Sequence, residues 1–475
     1  MNAADFDLDG EMELLLTTAY EGNSLLVLYQ GLNPAFSLPI GTKSRPAVMS
    51  INSQLQVDVL VNLPSGLTVL IYSESAFKQV PFHTFADPNC LQGPFLPLSE
   101  PHSAASIDLN GDCLADLFLT VVDPEGNLYF QVWLNAKNSK YCLVLSENPP
   151  FLAGQVAFAD VDRDGREDLV FPVGREQVHV LFNSNSASHV CEFDDNLGNF
   201  TLTDLGSMTN TDLKKIITLP APLYPGSPDF PPTLRLADLD LDGFPDLLVT
   251  LSEIEGPEVV YFHNIEGRSF APDPNSEFAK IQNSSGLIGA FFDLDENGVL
   301  DILLTSQNEA SLSVLSFYNN LVEDTFHLKA VMRDGTSTSA FPGAVFTYTV
   351  TDMDMNALYY RCTQQPQSAW FALLPPFCLA GTGRTVTYVE DFYAALPLAE
   401  HSSRMWTPII PNSDLLVLPS RGSTDEWKLE LFANPSHFLV PCIVTSLSVL
   451  VLLGAFIIWR YGREQKKDRS RHRFT

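Results

Sequence analysis

The stretch FADVDRDGREDLVF, Phe158 to Phe171, decides the fold. Asp160, Asp162 and Asp164 stand at alternate positions, Gly165 follows, and Asp168 opens an apolar run. Carboxylates this close repel one another, so something must offset the charge. Oxygens at positions 1, 3 and 5 of a tight loop converge on one point, which suits a hard cation with flexible coordination, Ca²⁺. Glycine at position 6 allows the backbone to turn with positive φ. A carbonyl near position 7 and the carboxylate at position 9 complete the donor set. The loop is not an EF-hand, because strand-like runs flank it and position 12 is Phe171 rather than glutamate. Magnesium, with its stricter octahedral demand, fits less well. The alternative is an Asx-rich turn holding no ion.

The frame repeats. It recurs as Asp238, Asp240, Asp242, Gly243 and Asp246, and as Asp293, Asp295, Asn297, Gly298 and Asp301. Asp5, Asp7, Asp9, Gly10 and Glu13 fit it near the start. Asp108, Asn110, Asp112 and Asp116 form a weaker copy, with Cys113 where glycine is expected. Cys113 must either tolerate the glycine conformation or pair in a disulfide. Ser50, Asn52, Gln54 and Asp58 are a worn copy, expected to hold no ion. An apolar, β-branched run follows the copies, as in DLFLTVV, DLVFPV, DLLVTLS and DILLTSQ. A second run then ends in Asn135, Asn183, Asn264 or Asn319, which lie 27, 23, 26 and 26 residues beyond the first aspartate of their copies. Units of this length built from short strands are propeller blades by pattern. As part of a repeat, the bound Ca²⁺ is expected to be structural.

Charge and hydropathy bound the rest. The 475 residues carry a formal charge of −30 with 45 % hydrophobic content, so the chain is acidic but able to build a core. Such a surface repels phosphate backbones, which excludes nucleic acid as a partner. Phe438 to Trp459 form 22 residues without a charge, and 460–475 hold seven Lys/Arg against two Asp/Glu. This predicts a transmembrane helix at 438–459 and a basic cytoplasmic tail at 460–475, with the acidic bulk outside or in a lumen. No export signal follows Met1. A lumenal bulk agrees with the sequons at Asn199 and Asn283, predicted as glycosylation sites, and with six cysteines before the span. Cys362 and Cys378, close in sequence, are the best disulfide candidates.

The repeats resemble FG-GAP repeats, the blades of integrin α-chain propellers. Together with WTPIIPNSDLLVLP and the terminal KKDRSRHRF, they make the chain similar to the T-cell immunomodulatory protein (Linkin) family. The resemblance implies an all-β fold: a seven-bladed FG-GAP β-propeller, a β-sandwich-like domain and one transmembrane helix. It also implies a type I glycoprotein of the cell membrane acting in adhesion, tissue integrity or modulation of T cells. The expected division is 1–325 propeller, lacking a lead-in strand and N-terminally incomplete, and 326–432 a membrane-proximal sandwich serving as a stalk. Gly381-Thr382-Gly383 and Pro375-Pro376 read as turns.

The partner expected is an extracellular or cell-surface protein. A calcium-dependent scaffold or folding factor of the secretory pathway is the alternative. A propeller-associated hydrolase is the third reading, but the nine histidines are scattered and no H-E-x-x-H, G-x-S-x-G or P-loop occurs, so no catalytic residue is assigned.

Overall fold

Every acidic loop joins a short strand to a longer one. In the computed structural model the first carboxylate directly follows a short strand, as Asp160 follows Ala157–Ala159. Position 9 is the first residue of the next strand, as in Asp168–Val173. The same arrangement holds around Asp5, Asp108, Asp238 and Asp293, and around the worn copy at Ser50. The structure describes residues 2–471 except 8, 10, 21–22, 32, 40–44, 53–55, 74–75, 91–92, 151–152, 184–190, 192–213, 226–230, 254–255, 273–286, 309–310, 321–324, 334–339, 354, 369–372, 384–387, 398–402, 421–422 and 434–438. The predicted glycosylation sites Asn199 and Asn283, and Gly10 of the first loop, lie outside the described residues.

The six copies yield six antiparallel sheets, strands following one another in chain order within each. Five have four strands; the sixth shows three, Ile288–Phe292, Asp301–Asn308 and Ser311–Phe317, among the described residues. A lead-in strand was expected to be missing from the first copy. It is present: Asn2–Ala4 pairs with the start of Glu13–Tyr20, Ala4 opposite Glu13.

Apolar residues on both faces of these strands explain how the sheets associate. Leu60 and Val69 of the second sheet pack with Leu117, Leu119 and Trp133 of the third. Phe118 and Phe130 of the third pack with Phe171 of the fourth, with ring centroids 5.5 Å apart between Phe130 and Phe171. Val170 and Val180 of the fourth meet Leu247, Val249 and Phe262 of the fifth. Leu248 and Tyr261 of the fifth meet Ile302 and Leu304 of the sixth. The second to fifth sheets are thus packed on both faces, the packing of propeller blades.

Residues 326–433 form two further four-stranded sheets facing each other. One orders Cys378–Gly383, Phe326–Met332, Ser413–Leu418 and Lys428–Ala433; the other orders Ala357–Thr363, Val345–Thr351, Asp391–Ala395 and Ser403–Trp406. Their inner faces share a core of Met332, Phe346, Tyr348, Phe392, Val417 and Trp427, as expected of a sandwich. The whole of 1–432 is one compact unit and 433–475 a second. The sandwich, expected as a stalk, is packed into the body that carries the acidic loops. In the second unit, a single helix spans Leu439–Arg471. Within it, Ile443–Lys466 is long and apolar enough to cross a membrane, with mean hydropathy 2.1.

Candidate metal centres

The loops share one backbone clasp. The position 1 carboxylate accepts from the amide of position 6: Asp160 Oδ2 from Gly165 N at 2.9 Å, Asp238 Oδ2 from Gly243 N at 2.8 Å, Asp293 Oδ2 from Gly298 N at 3.2 Å, and Asp108 Oδ2 from Cys113 N at 2.9 Å. These bonds require the left-handed turn that the sequence pattern predicts at position 6, with φ of 81° at Gly165 and 66° at Cys113. Cys113 meets both conditions set for it, because it also pairs with Cys191. Position 4 is left-handed too, at Arg163, Leu241 and Glu296, a feature the sequence reading lacked. Its one visible trace is Gly111, which holds position 4 in the copy where cysteine displaced the usual glycine.

Position 9 was read as a metal ligand. In the structure its carboxylate also ties the loop to the sheet. Asp168 Oδ2 accepts from Val161 N at 2.9 Å and its Oδ1 from Asn183 N at 2.8 Å. Asp301 repeats this with Leu294 N and Asn319 N, and Asp246 with Leu239 N and Asn264 N. Asp116 does the same with Leu109 N and Asn135 N, and Glu13 accepts from Phe6 N at 2.6 Å. In the worn copy, Asp58 keeps only this role, accepting from Ile51 N and Asn52 N.

The strand-end asparagines then join one sheet to the next. Asn183 Nδ2 donates to Leu109 O at 2.8 Å, Asn264 Nδ2 to Val161 O at 2.9 Å, and Asn319 Nδ2 to Leu239 O at 2.9 Å. In every case the acceptor is position 2 of the preceding loop. The regular offset seen in the sequence therefore marks an inter-sheet staple at these three; Asn135 Nδ2 instead donates to Ala115 O of its own loop at 3.2 Å.

Oxygens remain for an ion. One carboxylate oxygen from each of Asp160, Asp162 and Asp164 lies within 4.8 Å of the others, and so it is for Asp238, Asp240 and Asp242, and for Asp5, Asp7, Asp9 and Glu13. Asp162 Oδ1 and Asp238 Oδ1 are buried without a hydrogen-bond partner. Such orphaned acceptors are costly unless something occupies them. Burial, aided by the neighbouring carboxylates, holds Asp160 and Asp238 well above the usual carboxylate range. Burial and the adjacent Asp162 push Asp164 up to about 6, and burial with Asp240 pushes Asp242 up to about 7. Glu13 is raised to about 7 by burial. A hard, acid-rich, oxygen-only set of this kind fits Ca²⁺. Asp246 differs slightly, because His263 Nδ1 stands 3.2 Å from both Asp246 Oδ1 and Asp240 Oδ2.

The sandwich closes over these loops. Arg163 Nη1 donates to Asp242 O and its Nη2 to Thr382 O, each at 3.0 Å. Thr363 N donates to Glu167 Oε1 at 2.9 Å, and Thr363 Oγ1 accepts from Asp108 N at 3.1 Å. Gly381 N donates to Asp238 Oδ2 at 2.6 Å. The expected turn at Gly381-Thr382-Gly383 is instead part of the strand Cys378–Gly383. Glycine is needed there for approach rather than for turning: a Cβ on Gly381 would lie 2.1 Å from Leu241 O. Cys362 and Cys378 pair, as do Cys90 and Cys142. Glu167 and Arg163 were unassigned in the sequence because their partners lie far along the chain.

Repeated acidic loops between propeller-type sheets, with a sandwich after them, resemble the layout of FG-GAP-repeat proteins. A family described as FG-GAP-like repeat matches residues 108–171, and one described as ITFG1, C2 domain matches 336–432. The chain is similar to proteins named T-cell immunomodulatory protein and linkin. It is 27 % identical to the human T-cell immunomodulatory protein over 99 % of this chain and 82 % of that protein. Similarity to the Plasmodium falciparum homologue is 27 % identity over 78 % of this chain, and to protein linkin of Caenorhabditis elegans 26 % over 73 %. The matched region spans 60 % of the length of the Plasmodium falciparum homologue and 62 % of that of the Plasmodium yoelii yoelii one.

Proposed function

We propose that the chain is a membrane-anchored, non-enzymatic interaction receptor whose propeller is stiffened by structural Ca²⁺. The observation that carries the metal reading is the pair of oxygen triads at Asp160, Asp162, Asp164 and at Asp238, Asp240, Asp242, each with a buried acceptor lacking a partner. Those residues, together with Asp5, Asp7, Asp9 and Glu13, would hold the ion. Its charge offsets carboxylates that burial otherwise keeps from ionising. An ion that binds only the folded form adds about 2.7 kcal/mol at a hundredfold excess over its Kd, so weak sites suffice at millimolar calcium.

The receptor reading is supported by the names of the relatives and by the apolar helix with its basic end. The carboxylates serve architecture, which leaves partner binding to other surfaces of the sheets and to a protein outside the cell. A role in adhesion, tissue integrity or T-cell modulation belongs to this reading, with the chain as a type I protein of the cell membrane. Labelling of intact cells with an impermeant reagent tests it: modification of the 1–432 unit supports it. Exclusive retention in the endoplasmic reticulum sinks it in favour of a secretory-pathway scaffold.

A further inference from the structure

We infer that one end of the sandwich is a lipid-docking tip. There the exposed side chains of Met353, Met355, Tyr388, Ile410 and Phe432 settle into the interface of a phosphatidylcholine bilayer. The inference rests on the reading of the C-terminal helix as a membrane span. Met353 and Met355 are 66 % and 77 % exposed, and the other three lie between 52 % and 56 %. Single exposed apolar side chains are ordinary, but several at one end of a domain mark a surface with a partner.

Strand pairing gathers them at that end. The methionines belong to the hairpin turn that follows Thr351, which pairs with Ala357. Thr351 Oγ1 donates to Glu390 Oε1, which brings the segment with Tyr388 alongside. Val389 pairs with Ile409 through both backbone bonds, so Ile410 follows at the same end. The last strand, Lys428–Ala433, begins at the opposite end. There Arg404 donates to Thr424 O at 3.0 Å, and Arg404 itself pairs with Ala394, which pairs with Phe346. The six residues of the strand carry the chain about 20 Å back to the tip. Phe432 and the exit at Ala433 therefore stand with the methionines.

Chain length then names the partner. Residues 434–438 alone separate Ala433 from Leu439, where the helix begins. That linker reaches at most about 20 Å. A bilayer that holds the helix is thus tethered to the exit end of the sandwich, so docking is intramolecular and a small apolar area suffices. The tip is ordered by its own bonds. Asp352 O accepts from Met355 N at 3.2 Å, its Oδ1 from Asn356 N at 2.8 Å and its Oδ2 from Asn356 Nδ2 at 3.1 Å. Unbranched thioethers adapt to an irregular apolar phase, and tyrosine suits the headgroup boundary. Charge selects the lipid. Asp352, Glu390 and Asp391 stand at the same end and repel anionic headgroups, which favours zwitterionic phosphatidylcholine over phosphatidylserine.

The test uses the full chain, carrying Cys442→Ser, in phosphatidylcholine nanodiscs, with incorporation read from co-elution with the disc. A fluorophore on Met355→Cys should be dimmed about twofold or more by a nitroxide attached to the lipid, in EDTA as in calcium. With the fluorophore moved to Ile410→Cys, Met353→Asp should abolish the dimming and Met353→Leu should keep it. Both positions are exposed, so neither change disturbs the core. An incorporated chain whose label is as bright with the nitroxide lipid as without it overturns the inference. Dimming that requires phosphatidylserine or calcium, or that survives Met353→Asp unchanged, also overturns it. A chain that stays out of the disc refutes the span reading, and the inference with it.

Discussion

Replacing Asn264 by alanine should loosen the loop of the neighbouring sheet more than its own. Asn264 is fully buried at the end of the strand Gly256–Ile265. Its Nδ2 donates to Val161 O at 2.9 Å and to Pro245 O at 3.1 Å. Alanine removes both bonds and leaves two carbonyls to be satisfied by whatever water can enter. An orphaned buried acceptor costs about 1–3 kcal/mol, so two partly rehydrated carbonyls put the loss at about 2–4 kcal/mol. The backbone bond from Asn264 N to Asp246 Oδ1 survives the substitution, which keeps the strand in register. A chain of packed sheets need not unfold in one step, so a single midpoint is a poor readout. Amide exchange resolves it. Protection at Asp164 N and Gly165 N, which close the loop on Asp160, should fall by about 30-fold to 1,000-fold, the loss converted at 1.4 kcal/mol per decade. Asn127→Ala, which breaks an exposed contact with Asp123, should leave these amides unchanged. A fall of less than about threefold on Asn264→Ala, within the scatter of such estimates, would show that the asparagine is not the staple between sheets.

Three further outcomes follow from the same contacts. Without metal, Asp164 and Asp242 titrate near 6 and near 7 when folded, above their unfolded range. Their contribution to stability is therefore present in full below about pH 4 and lost as pH rises through 6 to 7. Calcium binds the ionised loop, so between pH 6 and 8 affinity should climb about tenfold at the Asp242 loop and about twofold at the Asp164 loop in a calorimetric titration; a flat profile would contradict it. Gly381→Ala forces a Cβ against the Leu241 backbone. It should cost at least about 1–3 kcal/mol and expose the seam between sandwich and sheets to limited proteolysis; a protease-resistant variant would argue against close approach. Opening the Cys362–Cys378 bond, which closes a 16-residue separation, by a double serine substitution should cost about 3 kcal/mol in denaturant unfolding.

Much of the fold was legible because the decisive contacts are local. An aspartate that accepts from an amide five residues on, and a glycine that permits the turn, leave a fixed spacing in the sequence. The strand-end asparagines were visible for the same reason: each must sit where its own strand meets the preceding loop. The sandwich's hold on the loops was not legible. Arg361 reaches Asp108 across 253 positions and Gly381 reaches Asp238 across 143, and nothing in the spacing of either marks such a partner. Gly381 shows the hazard: glycine between glycine-rich neighbours reads as a turn, yet its missing Cβ serves an approach made by a distant loop.

The central claim is that the three-carboxylate loops hold calcium. Calorimetric titration of the full chain in detergent tests it most directly, comparing the wild type with Asp162→Ala and Asp240→Ala. The account predicts saturable calcium uptake by the wild type and the loss of one ion in each variant. A wild-type chain that takes up no calcium at millimolar concentration, or variants that bind as many ions as the wild type, would contradict it.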